Sequence, residues 1–352
     1  MKLLALRSMN LKLTMLSLMH FATDGLCAYL VFIKLYPDNP GAAFLIFIAY
    51  NLLAFVTQSP VGMVIDRYNK PKLFLAISMI MMIAGYALSG FWFISVFMIG
   101  MSNSIFHVAG GKYVTDKSGN SIVHLGIFVS TGAVGLMLGQ RYFSFEALPY
   151  IFFGILILCG LMIIFSEDCE NKPYYEEYID SRETIYPVLA VIIVVFVRAF
   201  VGKIVSPNFT LKEHVFILIA LATAIGKAMG GICSRIFGIK FTTYVSMTAA
   251  AFLLTVGVGN EICFLLGVFA FNFTMPITLY FANILLKGRE GFAFGSLAAT
   301  LAPGYFLAMS FTYSTAMRIT TALLCVLSMI TIIIVLRRIK NVNLPLIADN
   351  NF

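Results

Sequence analysis

Long apolar runs alternate with short polar breaks along almost the whole chain. Six runs fall at about 11–36, 42–65, 73–89, 91–110, 122–140 and 146–165, and six more at about 185–205, 213–233, 240–258, 262–286, 292–313 and 316–338. A helix rises about 1.5 Å per residue, so crossing the hydrocarbon core of a bilayer takes about 20 apolar residues. The pattern predicts an all-α membrane protein of twelve transmembrane helices. One long polar stretch separates the two sets, at 166–184, and it holds Glu167, Asp168, Glu170, Glu176, Glu177, Asp180 and Glu183. The expected organisation is an N-terminal six-helix bundle over 1–165, an acidic cytoplasmic linker over 166–184, a C-terminal six-helix bundle over 185–340 and a cytoplasmic tail over 341–352.

Composition narrows the class. Of 352 residues 60% are hydrophobic and only 11% charged, against roughly 25% charged in a soluble domain. A net charge of +8 would suggest nucleic acid for a soluble protein. Here a cytoplasmic N-terminus places all but seven of the 24 Lys and Arg residues on the inner side, which is the usual bias of membrane proteins. The expected partner is therefore the lipid bilayer and not nucleic acid, in the cytoplasmic membrane with both termini inside. The first run contains His20 and Asp24 and lacks a small-residue cleavage site, so it reads as a membrane helix and not a signal peptide. Six cysteines without a CxxC pair call for neither a disulfide framework nor a metal, and no cofactor motif is present.

An internal repeat sharpens the picture. The loop after the second run reads Gly62-Met-Val-Ile-Asp66-Arg67-Tyr-Asn-Lys70-Pro71-Lys72, and the loop after the eighth reads Gly230-Gly231-Ile-Cys-Ser234-Arg235-Ile-Phe-Gly238-Ile-Lys240. The two lie 168 residues apart, which is the offset between the six-helix halves. Glycine lets helix ends approach closely, and an acid–arginine pair there can latch and release. The first loop resembles the G-x-x-x-D-R-x-x-[RK] signature of the major facilitator superfamily; the second has Ser234 where the acid would stand. Gly62, Asp66, Arg67 and Arg235 are the candidate gating residues. Two six-helix halves are a recurring transporter architecture, and the resemblance implies the major facilitator fold.

A narrower likeness lies in the first 140 residues. His20-Phe-Ala-Thr-Asp24-Gly, the Asp66-Arg67-Tyr68 loop and Gly100-Met-Ser-Asn-Ser-Ile-Phe106-His107 resemble the fosmidomycin-resistance branch of that superfamily, with Val108 in place of a proline. That resemblance implies a proton-driven exporter of small anionic or amphiphilic compounds.

The residues themselves offer a coupling chemistry. Asp24 is the one acid well inside a predicted span, and an ionisable group at bilayer depth is a functional candidate by default. His20, four residues earlier, shares its helix face, so the two can share a proton; alternatively they bond each other and pin adjacent helices. Arg198 and Lys227 fall within the seventh and eighth runs and suit an anionic solute. His107, placed near the end of the fourth run beside Asn103, joins them through the Phe-His resemblance; the alternative is a hydrogen bond to a Gly110-Gly111 turn. Asn51, Gln58, Asn272 and Asn283 read as packing glue, and Pro60, Pro276 and Pro303 as helix breakers. Gly132, Gly135 and Gly139 are spaced for close helix contact.

The expected function is a secondary active transporter of a small organic solute working by alternating access, coupled to protons (or Na⁺), acting as a monomer and not an enzyme. A membrane-embedded transferase and a non-transporting sensor on a transporter fold are the alternatives, and no HExxH, GxSxG or nucleotide loop supports the first of these.

Overall fold

The computed structural model describes residues 2–141, 145–167, 181–205, 213–256, 259–312 and 314–341. Most of the predicted acidic linker, residues 168–180, and the tail from 342 onward lie outside the described residues. The described residues form helices joined by turns, in twelve segments, each overlapping one apolar run of the sequence. They are α1 (Met9–Asp38), α2 (Pro40–Tyr68), α3 (Pro71–Ala87), α4 (Trp92–Ser118), α5 (Ile122–Arg141), α6 (Leu148–Ile164), α7 (Thr184–Val205), α8 (His214–Phe237), α9 (Ile239–Leu253), α10 (Glu261–Leu285), α11 (Glu290–Ala308) and α12 (Thr315–Asn341). Nine of these, among the described residues, are long and apolar enough to cross a membrane, while α3 and α6 are shorter apolar helices. Large apolar side chains stand exposed along them, Phe44, Ile80, Leu158 and Ile193 among others. Such a surface fits hydrocarbon and not water, so the protein is a multi-pass membrane protein.

Proline breaks three helices where the ladder predicts. A proline has no N–H for the carbonyl four residues before it. Pro60 follows a π-helical stretch, Leu52–Val56; Pro276 follows a turn at Asn272 and Phe273, and Pro303 one at Thr300. The polar amides mostly serve their own helices: Asn51 Nδ2 donates to the Phe47 carbonyl, Gln58 Nε2 to Ala54 and Asn272 Nδ2 to Val268, each at 2.8 Å.

Two compact units result. The first takes α1–α4, α6, α5 from Thr131 onward and α11 as far as Ala299; the second takes the start of α5, α7–α10, the rest of α11 and α12. Both α5 and α11 are interrupted at that division, α5 at Thr131, whose hydroxyl donates to the Ser17 carbonyl at 2.7 Å. In the first unit α5 lies directly on α1, because Gly135 and Gly139 meet the carbonyls of Phe21 and Gly25 where any Cβ would overlap them. In the second unit Phe200, Met247, Leu254, Phe264, Phe271 and Cys325 belong to one buried apolar cluster.

Candidate functional site

Asp24 sits near the middle of α1 among polar side chains of α1 and α4. Its Oδ2 lies 3.3 Å from His20 Nε2, one turn earlier on the same face. Its Oδ1 accepts from Asn103 Nδ2 of α4 at 3.1 Å and lies 3.5 Å from His107 Nε2, also of α4. The two imidazoles meet edge to face with centroids 4.6 Å apart, and buried Phe106 closes on His20. The His20 side chain is 6% exposed and buried, whereas His107 and Asp24, at 12% and 18%, are partly open. Gly132 of α5 forms the wall: a Cβ there would overlap both Asp24 Oδ2 and His20 Nε2.

The hydrogen bonds fix what this group needs. His107 Nδ1 lies 2.9 Å from the Asn103 carbonyl. A carbonyl only accepts, so Nδ1 carries the hydrogen and Nε2 is turned toward the carboxylate. A bare Nε2 and a carboxylate oxygen are both acceptors and repel. Their approach is favourable only with a proton or another cation between them. The structure brings His20 and Asp24 together as the spacing predicts and adds His107 of α4 to them, with one correction. His107 is not near a helix end, and Gly110-Gly111 is no turn: α4 runs on to Ser118, and Gly111 is packed under Phe294 of α11.

The loop around Asp66 forms a second polar centre of the first unit. Asp66, at the end of α2, accepts from the backbone N–H groups of Gly291 and Phe292 at 2.8 and 2.7 Å. It thereby caps the start of α11, whose first N–H groups have no intrahelical partner. Lys112 of α4 reaches the same carboxylate at 3.3 Å, Glu290 at 3.2 Å and Asp116 at 3.4 Å. Gly62 permits this approach by resting on the Gly291 carbonyl. Arg67 is on the exposed side of the helix, so the acid's charged partner is Lys112 and not its neighbour in sequence. Sequence reasoning missed this role of Lys112, Asp116 and Glu290. Lys112 and Asp116 at i, i+4 were the available signal.

The remaining candidates belong to the second unit. Arg198 of α7 is buried and donates to Thr278 Oγ1 of α10 at 3.3 Å. Lys227 of α8 is half-buried, and its carbonyl lies against Gly126 of α5. Arg235 is half-buried near the end of α8. Lys203 lies over the Tyr305 ring at 5.1 Å.

No protein-family model matches the chain, and neither does any curated protein sequence. Solved structures do. The fucose:proton symporter FucP of E. coli matches at 13% identity over 94% of this chain and 99% of its own, with a TM-score of 0.69, and a second FucP structure is described as a major facilitator superfamily transporter.

The chain has the major facilitator fold.

The human organic anion transporter MFSD10 is similar to it at 16% identity, covering 92% of this chain and 99% of the other, with a TM-score of 0.66. A bacterial homologue of the iron transporter ferroportin, in an outward-facing state, matches at 15% identity over 95% and 98% with a TM-score of 0.59. Identities this low establish the major facilitator fold and leave substrate to the chain's own residues.

Proposed function

We propose that the protein is a secondary active transporter that moves a small anionic or amphiphilic organic solute out across the cytoplasmic membrane by alternating access, coupled to protons. The observation that carries this reading is the carboxylate at mid-helix depth facing two imidazoles, one of which, His107, turns its unprotonated nitrogen to it, an approach that is favourable with a proton or other cation held there. Binding and release of that proton give the coupling step. The solved structures of like fold support a transporter: one is a fucose:proton symporter and another an organic anion transporter. The resemblance of the first half to the fosmidomycin-resistance branch supports export. Arg198 and Lys227 are the proposed contacts for an anionic group, Arg198 through a fork that matches carboxylate or phosphate. Asp66, Gly62, Arg67 and Arg235 belong to the proposed gating loops. The reading keeps six helices on each side of the linker, termini in the cytoplasm, a monomer and no enzymatic activity.

Proteoliposomes with an imposed pH gradient test it. A panel of labelled organic anions and amphiphilic drugs should include one whose movement follows the gradient and collapses with a protonophore. Movement of none of them by folded protein would overturn the proposal, and dependence on Na⁺ in place of protons would overturn its coupling ion.

A further inference from the structure

The group around Asp24 also has the composition of a metal site. Nε2 of His20, Nε2 of His107 and the Asp24 carboxylate are one donor each, and these atoms all lie within 4.8 Å of one another. Three points that close have a common centre no more than about 2.8 Å from each, and small rotations of the side chains shorten this to the roughly 2.0–2.2 Å of metal–imidazole and metal–carboxylate bonds. Two imidazoles and one carboxylate suit borderline divalent ions of the first transition row. Magnesium and calcium prefer oxygen throughout, and soft ions prefer thiolate.

Three further observations separate this triad from an ordinary pair of buried histidines. First, His107 Nδ1 is held by the Asn103 carbonyl at 2.9 Å. That is the outer bond metal-bound imidazoles make, fixing the tautomer in which Nε2 carries a lone pair in place of a hydrogen. Second, Asn103 is buried and donates to Asp24, orienting the carboxylate, while its own Oδ1 has no hydrogen-bond partner among the described residues. Third, the donors are packed on three sides, by Phe106, by Asn103 and by the backbone at Gly132, while Asp24 and His107 keep partial exposure. An ion can therefore reach the donors, and water or an anionic solute can complete its coordination.

We propose that His20, Asp24 and His107 bind one divalent first-row transition-metal ion, of the class of Zn²⁺, Fe²⁺, Mn²⁺ and Co²⁺. The ion takes the place between carboxylate and imidazoles that a proton otherwise fills. This goes beyond the transport reading and does not depend on flux.

The test is direct binding. Metal-stripped, full-length protein in lipid nanodiscs is titrated with Co²⁺ and followed by its ligand-field absorption. The expected result is one ion per chain, displaced by Zn²⁺, with affinity falling about tenfold or more in each of His20→Gln, His107→Gln and Asp24→Asn. His214→Gln, which removes an exposed histidine paired with Glu261 at 3.2 Å, should bind as the wild type does. Wild-type protein loaded with Cu²⁺ should show two coordinated imidazoles by pulsed EPR, a readout that needs no variant to fold. No Co²⁺ bound at millimolar ion, fewer than two imidazoles, or binding that survives all three triad substitutions would each overturn the proposal. Proton-driven flux without metal binding leaves the transport reading standing alone, and metal binding without flux does the reverse.

Discussion

The two repeated loops, 168 residues apart in sequence, solve one packing problem with different polar chemistry. In the first unit Gly62 brings α2 onto the start of α11 at the Gly291 carbonyl; in the second Gly231 brings α8 onto the start of α5 at the Ile122 carbonyl. There the likeness ends. Asp66 holds two backbone N–H groups and a lysine, whereas Ser234, at the matching position, is buried and its hydroxyl has no hydrogen-bond partner among the described residues. A neutral tie in the second unit runs through amides: Asn283 Nδ2 donates to Asn120 Oδ1 at 3.1 Å, and Asn120 Nδ2 to the Tyr280 carbonyl at 3.3 Å. Close glycine packing is the shared element, and the capping carboxylate of Asp66 has Ser234 in its place in the other copy.

Substitutions can break that comparison, and they differ in size. Asp66→Ala leaves Lys112 with Glu290 and Asp116 but takes the acceptor from the Gly291 and Phe292 N–H groups and uncaps α11, and a buried N–H left without an acceptor costs about 1–3 kcal/mol. The variant should show a sharply lowered Tm in detergent, and a Tm near that of the wild type would mean the cap contributes little. Gly62→Ala and Gly231→Ala each push a methyl into backbone that cannot rotate away, at about 1–3 kcal/mol each. Parallel melting curves should show comparable losses, and a loss confined to Gly62→Ala would show that the second loop is not a packing copy of the first. Ser234→Ala removes a hydroxyl without a partner and should change stability by no more than about 0.5 kcal/mol in either direction. A clear loss there would reveal a polar role for Ser234.

The same contrast shows what the sequence made legible. Apolar runs long enough for a bilayer reveal all twelve helices, and prolines mark where three of them break, because both effects are local. The pairing of His20 with Asp24 follows from helical spacing alone. What the sequence conceals is tertiary. The fourth run reads as ending near residue 110 because Lys112, Asp116 and Lys117 look like a solvated boundary. Instead α4 continues to Ser118, because Lys112 and Asp116 are spent on partners brought by α2 and α11. Arg67 looked like the partner of Asp66 because it is next in sequence, yet adjacent residues on a helix point apart. His107 was reached through a family resemblance, and only the contact of α4 with α1 explains its role. Gly132 read as one member of a small-residue stripe, and its place beside Asp24 is visible only in three dimensions.

The central claim is that Asp24 couples solute movement to protons. Its most direct test is solute accumulation in proteoliposomes under an imposed pH gradient, wild type against Asp24→Asn, with solute binding measured in parallel. The account predicts that the variant binds and exchanges solute yet no longer accumulates it against a concentration gradient. Accumulation by the variant with unchanged pH dependence would contradict it and leave Asp24 as structural glue between helices.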